Sequence, residues 1–240
     1  NDMVVGVIVT SVSTVLFSHF STWIAKNEIR EVETNLKRVL EVLSLLIFPI
    51  MVMCIVSGDQ IVEILYGRGN FGKKEIQMTY GVVAAYAVGF VFQAARSNLV
   101  KVYYAFQDSK TPMINGLLAI VLNITLSITL SKFIGVVGVA LATSVSMLFV
   151  TALLLRGVKK YLSSFTIKKS CKELLKGAIA ACITAVVAFA LKSYLSTGLI
   201  VSFLIISSVV VGMYIVLLFL FKSDNAEWIG KSVYQKFKRG

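Results

Sequence analysis

What the chain lacks excludes more than what it has. One histidine, His19, stands in 240 residues, so neither a zinc site built on imidazoles nor a Ser/His/Asp triad has the material it needs. The three cysteines, Cys54, Cys171 and Cys182, show no CxxC or other metal-ligand spacing, and two of them fall in apolar runs, which fits reduced, buried and inert thiols. No GxxxxGK[ST] loop is present to cradle a nucleotide, so the chain does not hydrolyse ATP by itself. Only two prolines interrupt it. The start, Asn1-Asp2-Met3, has no basic n-region and no small-residue cleavage site ahead of a hydrophobic run, unlike a signal peptide. The expectation is that the chain starts inside a larger protein.

Carboxylates are scarce as well: 12 Asp and Glu stand against 24 Lys and Arg, for a net charge of +12. The basic residues sit between hydrophobic runs and cover no single amphipathic face, so the charge reports membrane topology and not nucleic-acid binding. What is abundant is oil. Hydrophobic residues make up 57% and the mean hydropathy is +0.84. Repeated apolar runs of about twenty residues define an all-α, polytopic membrane protein.

Seven spans follow, at about residues 3–24, 39–56, 76–106, 113–131, 135–155, 174–191 and 198–221. Between the first two, AKNEIREVETNLKR carries both signs of charge with Ile29, Val32 and Leu36 at helical steps, and reads as a short interfacial helix. In the first span Thr10, Ser11, Thr14, Ser18, Ser21 and Thr22 share a face, which either packs against a helix or lines a polar cavity. Pro49 falls inside the second span and is positioned to kink it. QIVEILYGRGNFGKKEIQ is too polar and glycine-rich to cross, so a brief interfacial helix with Ile61, Ile64 and Leu65 on its apolar face precedes a glycine turn. Gly135, Gly138 and Ala142 offer close-packing positions at the start of the fifth span. Counting Lys and Arg in alternate loops gives 17 on one side and 5 on the other. The positive-inside rule makes the first set, and with it the C-terminus, cytoplasmic.

One span is anomalous. The run 76–106 holds Arg96 and Lys101, and each cation costs roughly 2.5–3.5 kcal/mol at the bilayer centre on insertion scales. At about 100° per residue Gln93, Arg96, Ser97, Lys101, Tyr104 and Asp108 share one arc. Such a stripe requires a wet or polar neighbour and marks a solute path. Lys101 is near enough to the span's end either to serve the path or to snorkel to the aqueous boundary. Arg96 lies deeper and has the poorer escape.

LYGRGNF, YYAFQDSKTP, NITLSITL and GVVGVALATSVS, in that order and spacing, resemble the C-terminal half of the MviN/MurJ lipid II flippases, within the multidrug/oligosaccharidyl-lipid/polysaccharide exporter superfamily. The resemblance implies a fourteen-helix flippase, two lobes around a cationic cavity plus two helices beside the polyprenyl tail. Residues 1–157 would then be five helices of the C-terminal lobe, 158–173 a basic cytoplasmic loop, 174–221 the two additional helices, and 222–240 a basic tail. It implies translocation of lipid II, with the N-terminal lobe of the same protein and the bilayer as partners, Arg96 and Lys101 as diphosphate contacts, and Gln93 and Ser97 beside them. It further implies a sodium site at Asn123, Thr143 and the Val139 carbonyl, although Ser127 stands where that pattern has an aspartate. Coupling is to sodium or to the membrane potential. Without the first lobe the fragment does not transport. A flippase for another polyprenyl-linked glycan, such as O-antigen or capsule units, is the alternative. A membrane-embedded glycosyl- or phosphotransferase would need paired acids, and Asp59, Glu63 and Glu75 are too scattered to supply them.

Overall fold

The computed structural model describes residues 17–69, 71–163, 165, 167–195 and 198–221. Among them no strand occurs, and the helices are α1 (residues 17–25), α2 (Ile29–Val56), α3 (Gly58–Tyr66), α4 (Lys73–Ala87), α5 (Phe90–Ala105), α6 (Lys110–Ile134), α7 (Val136–Gly157), α8 (Ile167–Tyr194) and α9 (Leu199–Leu220). In hydrocarbon a backbone must satisfy its own N–H and C=O groups, and only the helix does so within one segment. Among the described residues, five helices are long and apolar enough to cross a membrane, or six when the bent pair α4–α5 is taken as one span. The first expected span, 3–24, lies mostly outside the described residues, and the tail 222–240 lies wholly outside them.

α2 is the central post. Its buried residues include Val32, Leu36, Leu43, Ile47, Phe48 and Val52, and it packs against α4, α5, α8 and α9. Its second half, residues 42–56, is free of charge, as befits a helix in the interior of a bundle. On one side α8 reaches it through small residues: Ala180, Ala181 and Ala188 are buried, and a Cβ on Gly177 would stand 2.7 Å from Leu45 Cδ2. α9 completes that cluster with Ile206, Val210 and Tyr214. On the other side Leu99, Val102 and Tyr103 of α5 meet Val150 and Leu154 of α7, joined by Phe20, Leu162 and Phe165. α6 is the outlier, packing chiefly on α7 and leaving Leu117, Val121, Ile124 and Ile128 exposed. The α6–α7 hairpin turns at Gly135, with φ 61°, and closes tightly where a Cβ on Gly138 would lie 2.5 Å from the Leu130 backbone.

Several expectations are corrected. The charged segment before the second span is no separate interfacial helix: α2 runs unbroken from Ile29 to Val56, because Val32 and Leu36 are fully buried and carry the core into that segment. The span 76–106 is not one helix but two, bent by 43° at Val88–Gly89. On α3 it is Val62 that is buried, while Leu65 is 62% exposed. Cys54 is buried as expected, but Cys182 faces outward from α8; the Cys171 side chain is outside the described set. In the first span Ser21 and Thr22 hydroxyls donate to the Phe17 and Ser18 carbonyls of their own helix, and His19 stacks on Trp23; Thr10, Ser11 and Thr14 lie outside the described residues.

Candidate functional site

The polar stripe lies on α5. Gln93, Arg96, Ser97 and Lys101 are all half-buried on that helix and Tyr104 is exposed. Asp108 does not continue the stripe. Gln107 adopts φ 61°, which ends the helix, and Asp108 turns to cap α6, its Oδ1 accepting the Thr111 N–H at 3.0 Å and its Oδ2 accepting the Tyr161 hydroxyl at 2.9 Å. Hydrogen bonds from Thr111, with a further one from Tyr161, hold the Asp108 carboxyl below the usual aspartate range. The same bond pushes the Tyr161 phenol up.

Between α5, α6 and α7 lies a cleft of about 300 Å³. Arg96 lines it from α5, Asn123 from α6, Thr143 and Ser146 from α7, with Ile120, Met147 and Val150 among its apolar walls. Arg96 makes no ion pair or side-chain hydrogen bond among the described residues, and neither does Lys101. An unpaired guanidinium beside a recess amid apolar helices presents five fork-arranged donors to whatever enters. Gln93, Ser97 and Lys101 are not part of this lining.

The residues expected at a cation site are joined to one another. Asn123 Nδ2 donates to Thr143 Oγ1 at 3.2 Å, and Thr143 Oγ1 donates to the Val139 carbonyl at 3.1 Å. Ser127 Oγ is buried without a hydrogen-bond partner among the described residues. No group of three or more His, Cys, Asp or Glu that could hold a metal occurs among them. A hard cation favours several oxygens and net negative charge. Three neutral groups already bonded to each other, with Arg96 on the same cleft, do not fit sodium.

Sequence reasoning treats Arg96 and Asn123–Thr143 as two separate sites, and the structure brings them onto one cleft. It also misses the groups of α7 that hold the broken helix in place, Ser144 on α4 through the Ala85 carbonyl and Thr151 on α5 through the Phe92 carbonyl. Hydroxyls seven residues apart on an otherwise apolar helix were the available signal, but nothing in the chain names their acceptors.

Apolar spanning helices around a cleft that carries an unpaired arginine define a multi-pass membrane protein. The model of the family described as lipid II flippase MurJ matches residues 2–210, and the chain belongs to that family. The lipid II flippase MurJ of Thermosipho africanus is 31% identical over 156 residues, which is 65% of this chain and 32% of that protein. The probable lipid II flippase MurJ of Vibrio cholerae is 34% identical over 110 residues, 46% of this chain and 21% of that protein. A solved structure, lipid II flippase MurJ in an inward closed conformation, superposes with a TM-score of 0.77 at 28% identity, covering 92% of this chain and 44% of that one. The chain thus spans about a third of the first relative's length and under half of the solved structure's.

Proposed function

We propose that this chain is the C-terminal part of a flippase that moves lipid II from the inner to the outer leaflet of the cytoplasmic membrane by alternating access. Family membership supports the substrate. The observation that carries a role for this chain is the unpaired Arg96 on the cleft between α5, α6 and α7. A diphosphate carries its charge on oxygens that a guanidinium meets two at a time, and in a low-dielectric recess the attraction is far stronger than in water. Lys101, with Gln93 and Ser97 on the same helix, would pass the headgroup along as the cleft changes shape. α8 and α9, two apolar spans packed on each other, would lie beside the polyprenyl tail. The N-terminal lobe of the same protein would supply the rest of the cavity. The excess of basic residues in alternate loops supports a cytoplasmic C-terminus.

The neutral donor set at Asn123, Val139 and Thr143 favours coupling to the membrane potential over coupling to sodium. The test is complementation of a strain depleted of its lipid II flippase. Arg96→Ala in the full-length protein is expected to impair growth and flipping, while Lys132→Ala, on the opposite end of α6, is not. Equal, wild-type activity in both variants removes Arg96 from the mechanism. Complementation of an O-antigen or capsule flippase defect, and not of this strain, would reassign the glycan.

A further inference from the structure

The bend between α4 and α5 alters the hydrogen bonding of the backbone there. In an unbroken helix the Gly89 amide would donate to the Ala85 carbonyl. Instead it donates to the Tyr86 carbonyl at 2.9 Å, which leaves Ala85 without its ladder donor. Within a membrane such a carbonyl needs another partner. The Ser144 hydroxyl of α7 supplies it, Oγ to Ala85 O 2.7 Å, fully buried. Beyond the break, the Phe92 carbonyl accepts the Thr151 hydroxyl at 3.0 Å. Ser144 and Thr151 are two turns apart on one face of α7, and their acceptors straddle the break with the same separation.

This approach is possible only because residue 89 is glycine. A Cβ there would stand 2.7 Å from Ser144 Oγ and 3.0 Å from Ser144 Cα. The competing arrangement is a straight α4–α5, in which the Gly89 amide returns to Ala85 and Ser144 loses its acceptor. The Gly89 amide keeps one hydrogen bond in either arrangement, so the Ser144 bond, made only in the bent one, tips the balance toward the bend. Arg96 lies one turn past Phe92, on the arm that the bend directs.

We propose that Ser144 and Thr151 are positioning residues for Arg96: their grips on Ala85 and Phe92 hold the broken helix bent, and the bend turns the Arg96 side chain into the cleft against α6. The inference rests on Arg96 as the phosphate contact, and the two can fail separately.

The test uses the full-length flippase that contains this chain, with Cys54, Cys171 and Cys182 replaced and Arg96→Cys as a reporter for a membrane-impermeant thiol reagent. Gly116→Cys reports from α6 on the same cleft, where an added side chain meets open space. Thr151→Val keeps the shape and leaves the Phe92 carbonyl its own helical donor, so it folds. In Ser144→Ala and Thr151→Val backgrounds, labelling at position 96 is expected to slow about fivefold, the population shift that one lost hydrogen bond produces. Thr151→Ser restores the rate, and labelling at position 116 is unchanged throughout. Unchanged labelling at position 96, or an equal change at position 116, overturns the proposal. If position 96 responds as expected while Ser144→Ala with Arg96 intact still flips lipid II at the wild-type rate, the positioning stands and the phosphate role of Arg96 fails.

Discussion

Lys192, in the last turn of α8, closes on Asp59, in the first turn of α3: its Nζ lies 2.5 and 2.7 Å from the two carboxylate oxygens and 2.8 Å from the Val56 carbonyl at the end of α2. One ammonium thus ties three helices together and meets the negative end of the α2 dipole. The Lys192 side chain is 24% exposed and the Asp59 side chain 38%, so solvent screens part of the attraction.

Removing the ammonium should therefore loosen α8 from the α2–α3 corner without unfolding the bundle. Lys192→Met is expected to cost about 1 kcal/mol, read as a lower Tm of the full-length protein in detergent. Asp59→Asn should cost about the same, and the double variant should cost less than the sum of the two. Full additivity in that double-mutant cycle would show that the pair contributes nothing.

At the other end of the bundle, Asp108 and Tyr161 predict a pH window. The Asp108 carboxyl is depressed, so its contribution is complete above the ordinary aspartate value of about 4 and is lost as pH falls through the lower folded value. The Tyr161 phenol is raised, so its contribution is complete below the ordinary tyrosine value of about 10 and is lost as pH rises through the higher folded value. Thermal unfolding of the wild type should lose stability at both extremes relative to Asp108→Asn, which cannot ionise. Parallel curves for the two proteins would show that the bond does not couple to folding.

Both contacts bear on what the chain alone discloses. Assigning loops to alternate sides from Lys and Arg counts puts Asp59 with Lys192 and Asp108 with Tyr161, and each pair is in contact. Span positions follow from hydropathy because a helix in oil has no alternative backbone arrangement. The bend at Gly89 does not follow. A glycine inside a span is tolerated without a bend, and what fixes this one is Ser144, 55 positions later in the chain. The continuity of α2 through its charged start is equally silent, since the burial of Val32 and Leu36 depends on neighbours such as Phe20 and Leu162. Arg96 and Asn123 each stand out as polar residues in oily runs, but their common cleft exists only because α7 holds both helices.

Ser127 supplies the last test. Its Oγ is buried and lacks a hydrogen-bond partner among the described residues, one turn along α6 from Asn123. An aspartate there would add the negative charge that the Asn123, Thr143 and Val139 oxygens lack, and would turn a neutral cluster into a set suited to a hard monovalent cation. Full-length Ser127→Asp is expected to gain a sodium-dependent rise in Tm that potassium does not reproduce, following the linkage between ligand and stability. The wild type should show no such rise. Adding Asn123→Ala to Ser127→Asp should abolish it, because Asn123 would be one of the oxygen donors. A sodium response in the wild type would mean that the neutral set binds the ion unaided, and would return sodium coupling to the mechanism. No response in Ser127→Asp would mean that the Arg96 charge on the same cleft outweighs one added carboxylate, and Arg96→Gln combined with Ser127→Asp would then be the variant to bind sodium.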